Sequence, residues 1–156
     1  MKLQDEQHIA LRNRSIPQAV IIPELAYLDV REAVDWLCRS FGFVERLQIS
    51  NHRSQLTFGD GALIVIEKQS DPNTPLTDDP LSLTDRHSHR VMVRLADIDK
   101  HYEHAKKVGV TIINPPTDYP FGERQYSAED LGGHRWTFSQ TIADVDPSDW
   151  GGKLIE

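Results

Sequence analysis

A single cysteine, Cys38, stands in 156 residues, so no internal disulfide is available and a reducing cytoplasm is the expected compartment. Basic charge is scarce: 17 Lys and Arg against 24 Asp and Glu leave a net charge of -7. Binding a phosphate backbone needs a basic face, which argues against nucleic acid as a main partner. No apolar run approaches the ~20 residues that span a bilayer, so no membrane partner is expected. The opening "MKLQDEQHIALRNRS" lacks the apolar stretch of a secretory leader. Phosphate-loop, Ser-His-Asp and Cys-x-x-Cys patterns are missing as well, which argues against nucleotide-dependent and thiol enzymes.

What is present is the composition of a soluble globular protein, with 38% hydrophobic and 26% charged residues. Residues 1–18 are polar, without a period, and read as an arm. "AVIIPELAYL" (19–28) reads as a strand, with Pro23 at an edge or bulge because it cannot donate to a ladder. In "DVREAVDWLCRSFGF", Val30, Ala33, Val34, Leu37, Cys38 and Phe41 recur at helical spacing. Asp29 with Glu32 suits a capping box, Gly42 suits a left-handed C-terminal position, and Cys38 falls on the apolar face as a structural thiol. Three strands follow, about Val44–Ser50, Arg53–Phe58 and Ala62–Lys68, with "GDG" as a hairpin turn.

"QSDPNTPLTDDPLSLTD" has the composition of a linker. The pattern then restarts: "HSHRVMVRL" as a strand, "ADIDKHYEHAKKVGV" as a helix capped by Asp97 and ended by Gly109, "TII" as a short strand, "NPPTDYPFG" as a loop, and two strands around "LGG". This is an internal duplication of strand, helix, strand, strand, strand. The boundaries are an arm at 1–18, a first module at 19–68, a linker at 69–86, a second module at 87–140 and a tail at 141–156. The fold class expected is α+β: two βαβββ modules in tandem, forming a cup-shaped, partly closed sheet with helices outside and a concavity suited to a ligand.

"YLDVREAVDWLCRSFGF" and "PTDYPFGERQYSAEDLGGHRWTFSQ" resemble the vicinal oxygen chelate superfamily, which joins glyoxalase, bleomycin resistance protein and dioxygenases. The second segment is similar to the ending of its PhnB-like, glyoxalase-like branch. The resemblance implies paired βαβββ modules, frequent homodimers and, in the enzymes, one divalent metal held by His, Gln or Glu. Carried over by position, the four ligand sites fall on Ile22, Val65, Arg90 and Thr137, none of them a good ligand for a divalent cation. No metal and no cofactor is therefore expected.

In the last strand, His134, Trp136 and Phe138 share one face, and Arg135, Thr137 and Ser139 the other. The first set is expected on the helix and the second in the cup. Arg90, Met92 and Arg94 are expected in the cup too. With Glu24 they would clamp a carboxylate or amide, unless Glu24 only satisfies an arginine across the sheet. Tyr126 is a candidate hydrogen-bond donor to an oxyanion, against the favoured reading of a half-buried strand tyrosine with its hydroxyl at the surface. The expected ligand-binding set is Glu24, Val65, Arg90, Met92, Arg94, Tyr126 and Thr137, serving a small organic molecule in a homodimer. The competing expectation is a divalent-metal lyase, isomerase or dioxygenase with displaced ligands at Glu24, His89 and Glu67. His101 and His104, three apart, read either as an adventitious metal pair or as a polar helix face. Trp150 must bury its ring on its own chain or on a partner.

Overall fold

A computed structural model describes residues 11–69 and 88–155. The expected linker, apart from its first residue Gln69, and the first part of the arm thus lie outside the described residues. Helix α1 (Val30–Phe41) starts where the Asp29 side chain accepts from the Glu32 N–H, and ends where Gly42 turns left-handed at φ 87°. Helix α2 (Ile98–Lys107) is capped in the same way by Asp97, accepting from the Lys100 N–H. Gly109, at φ 87°, follows its last turn.

The first module's strands are β1 (Glu24–Tyr27), β2 (Val44–Ile49), β3 (Arg53–Phe58) and β4 (Gly61–Glu67). Those of the second are β5 (Arg90–Arg94), β6 (Thr111–Tyr119), β7 (Glu123–Glu129) and β8 (Arg135–Thr141). They form two separate four-stranded sheets, ordered β1-β4-β3-β2 and β5-β8-β7-β6. The pairs β1–β4 and β5–β8 are parallel and the others antiparallel. This is the α+β, two-module architecture that the sequence predicts, with the sheets left unclosed.

Two segments differ from expectation. The strand expected over 19–28 shortens to Glu24–Tyr27, beginning directly after Pro23. Proline brings no N–H, and only its carbonyl joins the sheet, accepting from the Ile64 N–H at 2.9 Å. The loop expected over 114–122 is mostly strand. As an edge strand, β6 absorbs Pro115 and Pro116 through register shifts on both sides of Asn114.

The helix-covered faces of the two sheets meet across one core. Phe41, at the end of α1, packs on Trp136 and Phe138 of β8, and Phe43 packs on Trp136. Buried polar groups bind the same seam. Asp130 accepts from the Tyr27 hydroxyl (2.6 Å), the Trp136 indole N–H (3.0 Å) and the backbone N–H groups of Gly132 and His134 (2.9 Å each). His101 and His104 reach from α2 to the Phe41 and Arg39 carbonyls, each at 2.8 Å. The end of a helix leaves such carbonyls without intrahelical partners. The helical histidine pair is therefore a cap on the neighbouring helix.

Candidate functional site

Because the helix-covered faces share the core, the other face of each sheet opens outward. On the second sheet that face is built by β5, β8 and β7. Arg90, Met92 and Arg94 are exposed, while Val91 and Val93 pack against the core, as period-2 alternation requires. Met92 stands beside Thr137, and Arg94 beside Ser139. Thr137 and Ser139 are buried on this open face, 7% and 1% exposed. Ser139 donates to the Glu123 carboxylate at 2.9 Å and accepts from the Gln125 amide at 3.0 Å. Arg94 donates to the Thr141 hydroxyl at 2.9 Å. The result is a floor of hydroxyl and amide groups beside two guanidinium groups and one apolar side chain.

On the first sheet, the open face carries Glu24, Ala26, Ile64, Gln55 and Arg53. Glu24 accepts from Arg53 at 2.8 Å, within its own sheet. The clamp expected of Glu24 with Arg90 and Arg94 is thus replaced by a cross-strand pair in which Glu24 is half exposed. Two further expectations are corrected. Val65 stands beside Leu25 in register and is fully buried in the helix-facing core, so the open-face residue of β4 is Ile64. Tyr126 is 1% exposed and also points into the core. Its hydroxyl donates to His101 Nδ1 at 2.6 Å, since the other ring nitrogen must donate to the Phe41 carbonyl. Burial pushes the Tyr126 phenol up and the His101 imidazole down from their ordinary values. Tyr126 is held as a neutral core donor, away from any open-face ligand.

Other candidates resolve into structure. Burial also raises the Cys38 thiol. His134 donates to the Ala26 carbonyl at 2.8 Å and packs on the Tyr27 ring. Trp150 rests on Phe121 of its own chain, which stacks on Tyr119, but stays 45% exposed, so the expected burial is only partial. Sequence reasoning did not single out Ile64, Gln55, Arg53 or Arg46 for this face. The only signal for the first was the parity of β4, hidden in the unbroken apolar run "ALIVI".

A divalent metal would need lone-pair donors converging from the open faces of β1, β4, β5 and β8. Those faces present Glu24, Ile64, Arg90 with Met92, and Thr137 with Ser139. One carboxylate already engaged by Arg53, with aliphatic, guanidinium and hydroxyl side chains at the other positions, does not fit a divalent cation. The displaced set fares no better. Glu67 is in register with Tyr27 and takes the opposite face of the sheet from Glu24. Among the described residues no three His, Cys, Asp or Glu side chains form a metal-holding group.

The family description "Glyoxalase/Bleomycin resistance protein/Dioxygenase superfamily" matches residues 15–138. The chain belongs to this superfamily. Among solved structures, TioX from a Micromonospora species is 30% identical, with a TM-score of 0.62, covering 82% of this chain and 100% of its own. An antibiotic binding protein from a Streptomyces species is 20% identical (TM-score 0.60; 86% and 99% covered). The fosfomycin resistance protein FosX from Listeria monocytogenes is 16% identical (TM-score 0.60; 80% and 94% covered). The last two likenesses are of fold. No curated protein matches the chain. Among the described residues, no helix of this superfamily member is long and apolar enough to cross a membrane.

Proposed function

We propose that this superfamily member binds a small organic molecule on the open face of its second sheet, without a catalytic metal, as a homodimer in which a second copy closes that face. The observation that carries the reading is the chemistry of the face. Arg90 and Arg94 flank the exposed Met92, next to Thr137 and Ser139. Planar guanidinium groups grip carboxylate or carbonyl oxygens, an apolar side chain takes the organic body, and hydroxyls set its orientation. The fold neighbour described as an antibiotic binding protein supports the binding of a small molecule, with sequestration of a toxic compound as one form. The ending "GERQYSAEDLGGHRWTFSQ" supports placement in the PhnB-like branch.

Two features support the dimer. The open faces of one chain look away from each other, so a cup needs a second molecule. Large apolar side chains also stand exposed around them: Val20 and Ile21 at more than 80%, Leu28 at 67% and Met92 at 57%. Sedimentation velocity is expected to return twice the chain mass; a concentration-independent monomer would overturn the dimer.

The function itself is tested on untagged protein offered iron, nickel, zinc and manganese. Elemental analysis is expected to find less than one metal per chain, unchanged in Glu24→Ala. Bleomycin, fosfomycin and aromatic antibiotics then enter a thermal-shift screen. A ligand present at 100 times its Kd stabilises by about 2.7 kcal/mol, a readable shift. That shift is expected to shrink in Arg90→Ala and Met92→Ala. A stoichiometric metal lost in Glu24→Ala would overturn the metal-free reading in favour of the lyase or dioxygenase one.

A further inference from the structure

We propose a second binding site in this chain: an anion pocket that the N-terminal arm builds on the open face of the first sheet. A cavity of about 540 Å³ lies between the arm and the β3–β4 hairpin. Its lining includes Arg12, Asn13 and Arg14 from the arm, Arg46 from β2, and Thr57 and Asp60 from the hairpin. Three arginines and one carboxylate line it, although the chain as a whole is acidic.

The arm is pinned by its backbone. Arg46 donates to the Arg14 carbonyl at 2.9 Å, and Gln55 donates to the Ser15 carbonyl at 2.9 Å. Arg46 also donates to the Gln55 side chain, and Gln55 is 3% exposed. Pro17 is buried where the arm passes over the sheet. Within the described residues, the Arg12 and Arg14 guanidinium groups have no side-chain or backbone acceptor, so both remain available to a ligand. Register explains why Arg46 joins them. It sits at the bulge between Glu45 and Leu47, which turns its side chain to the open face.

Like charges gathered in a cleft repel, and an oxyanion relieves that repulsion. The planar fork of arginine matches carboxylate and phosphoryl oxygens bidentately. The volume is that of a small-molecule site and exceeds what one inorganic ion fills. The ligand class is therefore a small organic anion carrying a carboxylate or phosphoryl group. These residues differ from those of the second-sheet face, so the two sites stand or fall separately.

The test is isothermal titration of the full chain with inorganic phosphate and, separately, with benzoate, at low chloride. One anion per chain is expected to bind, with affinity falling about tenfold for Arg12→Ala and for Arg14→Ala, the loss of one charge-assisted hydrogen bond. The melting temperature of these exposed-site variants is expected to stay put. Arg46→Lys keeps the charge but loses the fork, and is expected to weaken binding and to speed tryptic cleavage after Arg12 and Arg14. Phosphate binding alone identifies a phosphoryl ligand, and benzoate alone a carboxylate. The proposal is overturned if neither anion saturates the wild-type chain, or if the Arg12→Ala/Arg14→Ala variant binds as the wild type does. Met92→Ala, which alters only the second-sheet face, is expected to leave the anion titration unchanged.

Discussion

His101 stands between Tyr126 and the end of α1, accepting from one and donating to the other. Burial lowers its proton affinity in the folded chain from the ordinary value of 6.5. As pH falls the unfolded chain takes this proton first, so unfolding gains. The stability that neutral His101 contributes is therefore fully present above about 6.5 and is lost as pH drops below it. In urea titrations His101→Ala is expected to cost about 2 kcal/mol at pH 8, by leaving a hydroxyl and a carbonyl unpaired. The gap to wild type is expected to narrow toward pH 5; a gap that holds constant would refute the assignment. Asp130 likewise gathers buried partners: one carboxylate meets four donors, two of them from aromatic side chains. Neither role was legible in the sequence, because Phe41 and Tyr27 lie 60 and 103 positions away from His101 and Asp130.

At the scale of elements, alternation decided what could be read. In β8 the order Arg, Trp, Thr, Phe, Ser declares its two faces, and the structure puts Trp136 and Phe138 in the core. In β4 the run "ALIVI" is apolar throughout, and a one-residue slip exchanges the faces. That slip is why Val65 was expected where Ile64 stands. Tyr126 misled for another reason. Its hydroxyl finds a partner inside the core, a fact of packing and not of strand period. The β6–β7 turn illustrates backbone constraint. Gly122 has φ 84°, and an added Cβ would meet the Ala143 carbonyl oxygen at 2.3 Å. Gly122→Ala is expected to cost about 3 kcal/mol, and the melting temperature to fall on the order of 10 °C. An unchanged melting temperature would mean that the turn relaxes freely.

For the whole molecule, the shared core is expected to make the two modules unfold together. Phe41 belongs to the first module, yet it touches Trp136, Phe138 and His101 of the second. Phe41→Ala is expected to destabilise the chain by about 4 kcal/mol. Unfolding followed by far-ultraviolet circular dichroism and by tryptophan fluorescence is expected to coincide in wild type. Separated transitions would show that the modules unfold independently.

The sequence by itself determined the helices, most of the strands, the duplication and the superfamily. These rest on local signals: caps at Asp29 and Asp97, glycines at 42 and 109, and periods of 3.6 and 2. Only the tertiary structure decided that the helix-covered faces share one core and that the open faces turn outward. It also paired Glu24 with Arg53 and laid the arm across the first sheet. Those outcomes depend on which surfaces bury most against each other, and contacts between residues from 29 to 108 positions apart leave no periodic trace in the chain.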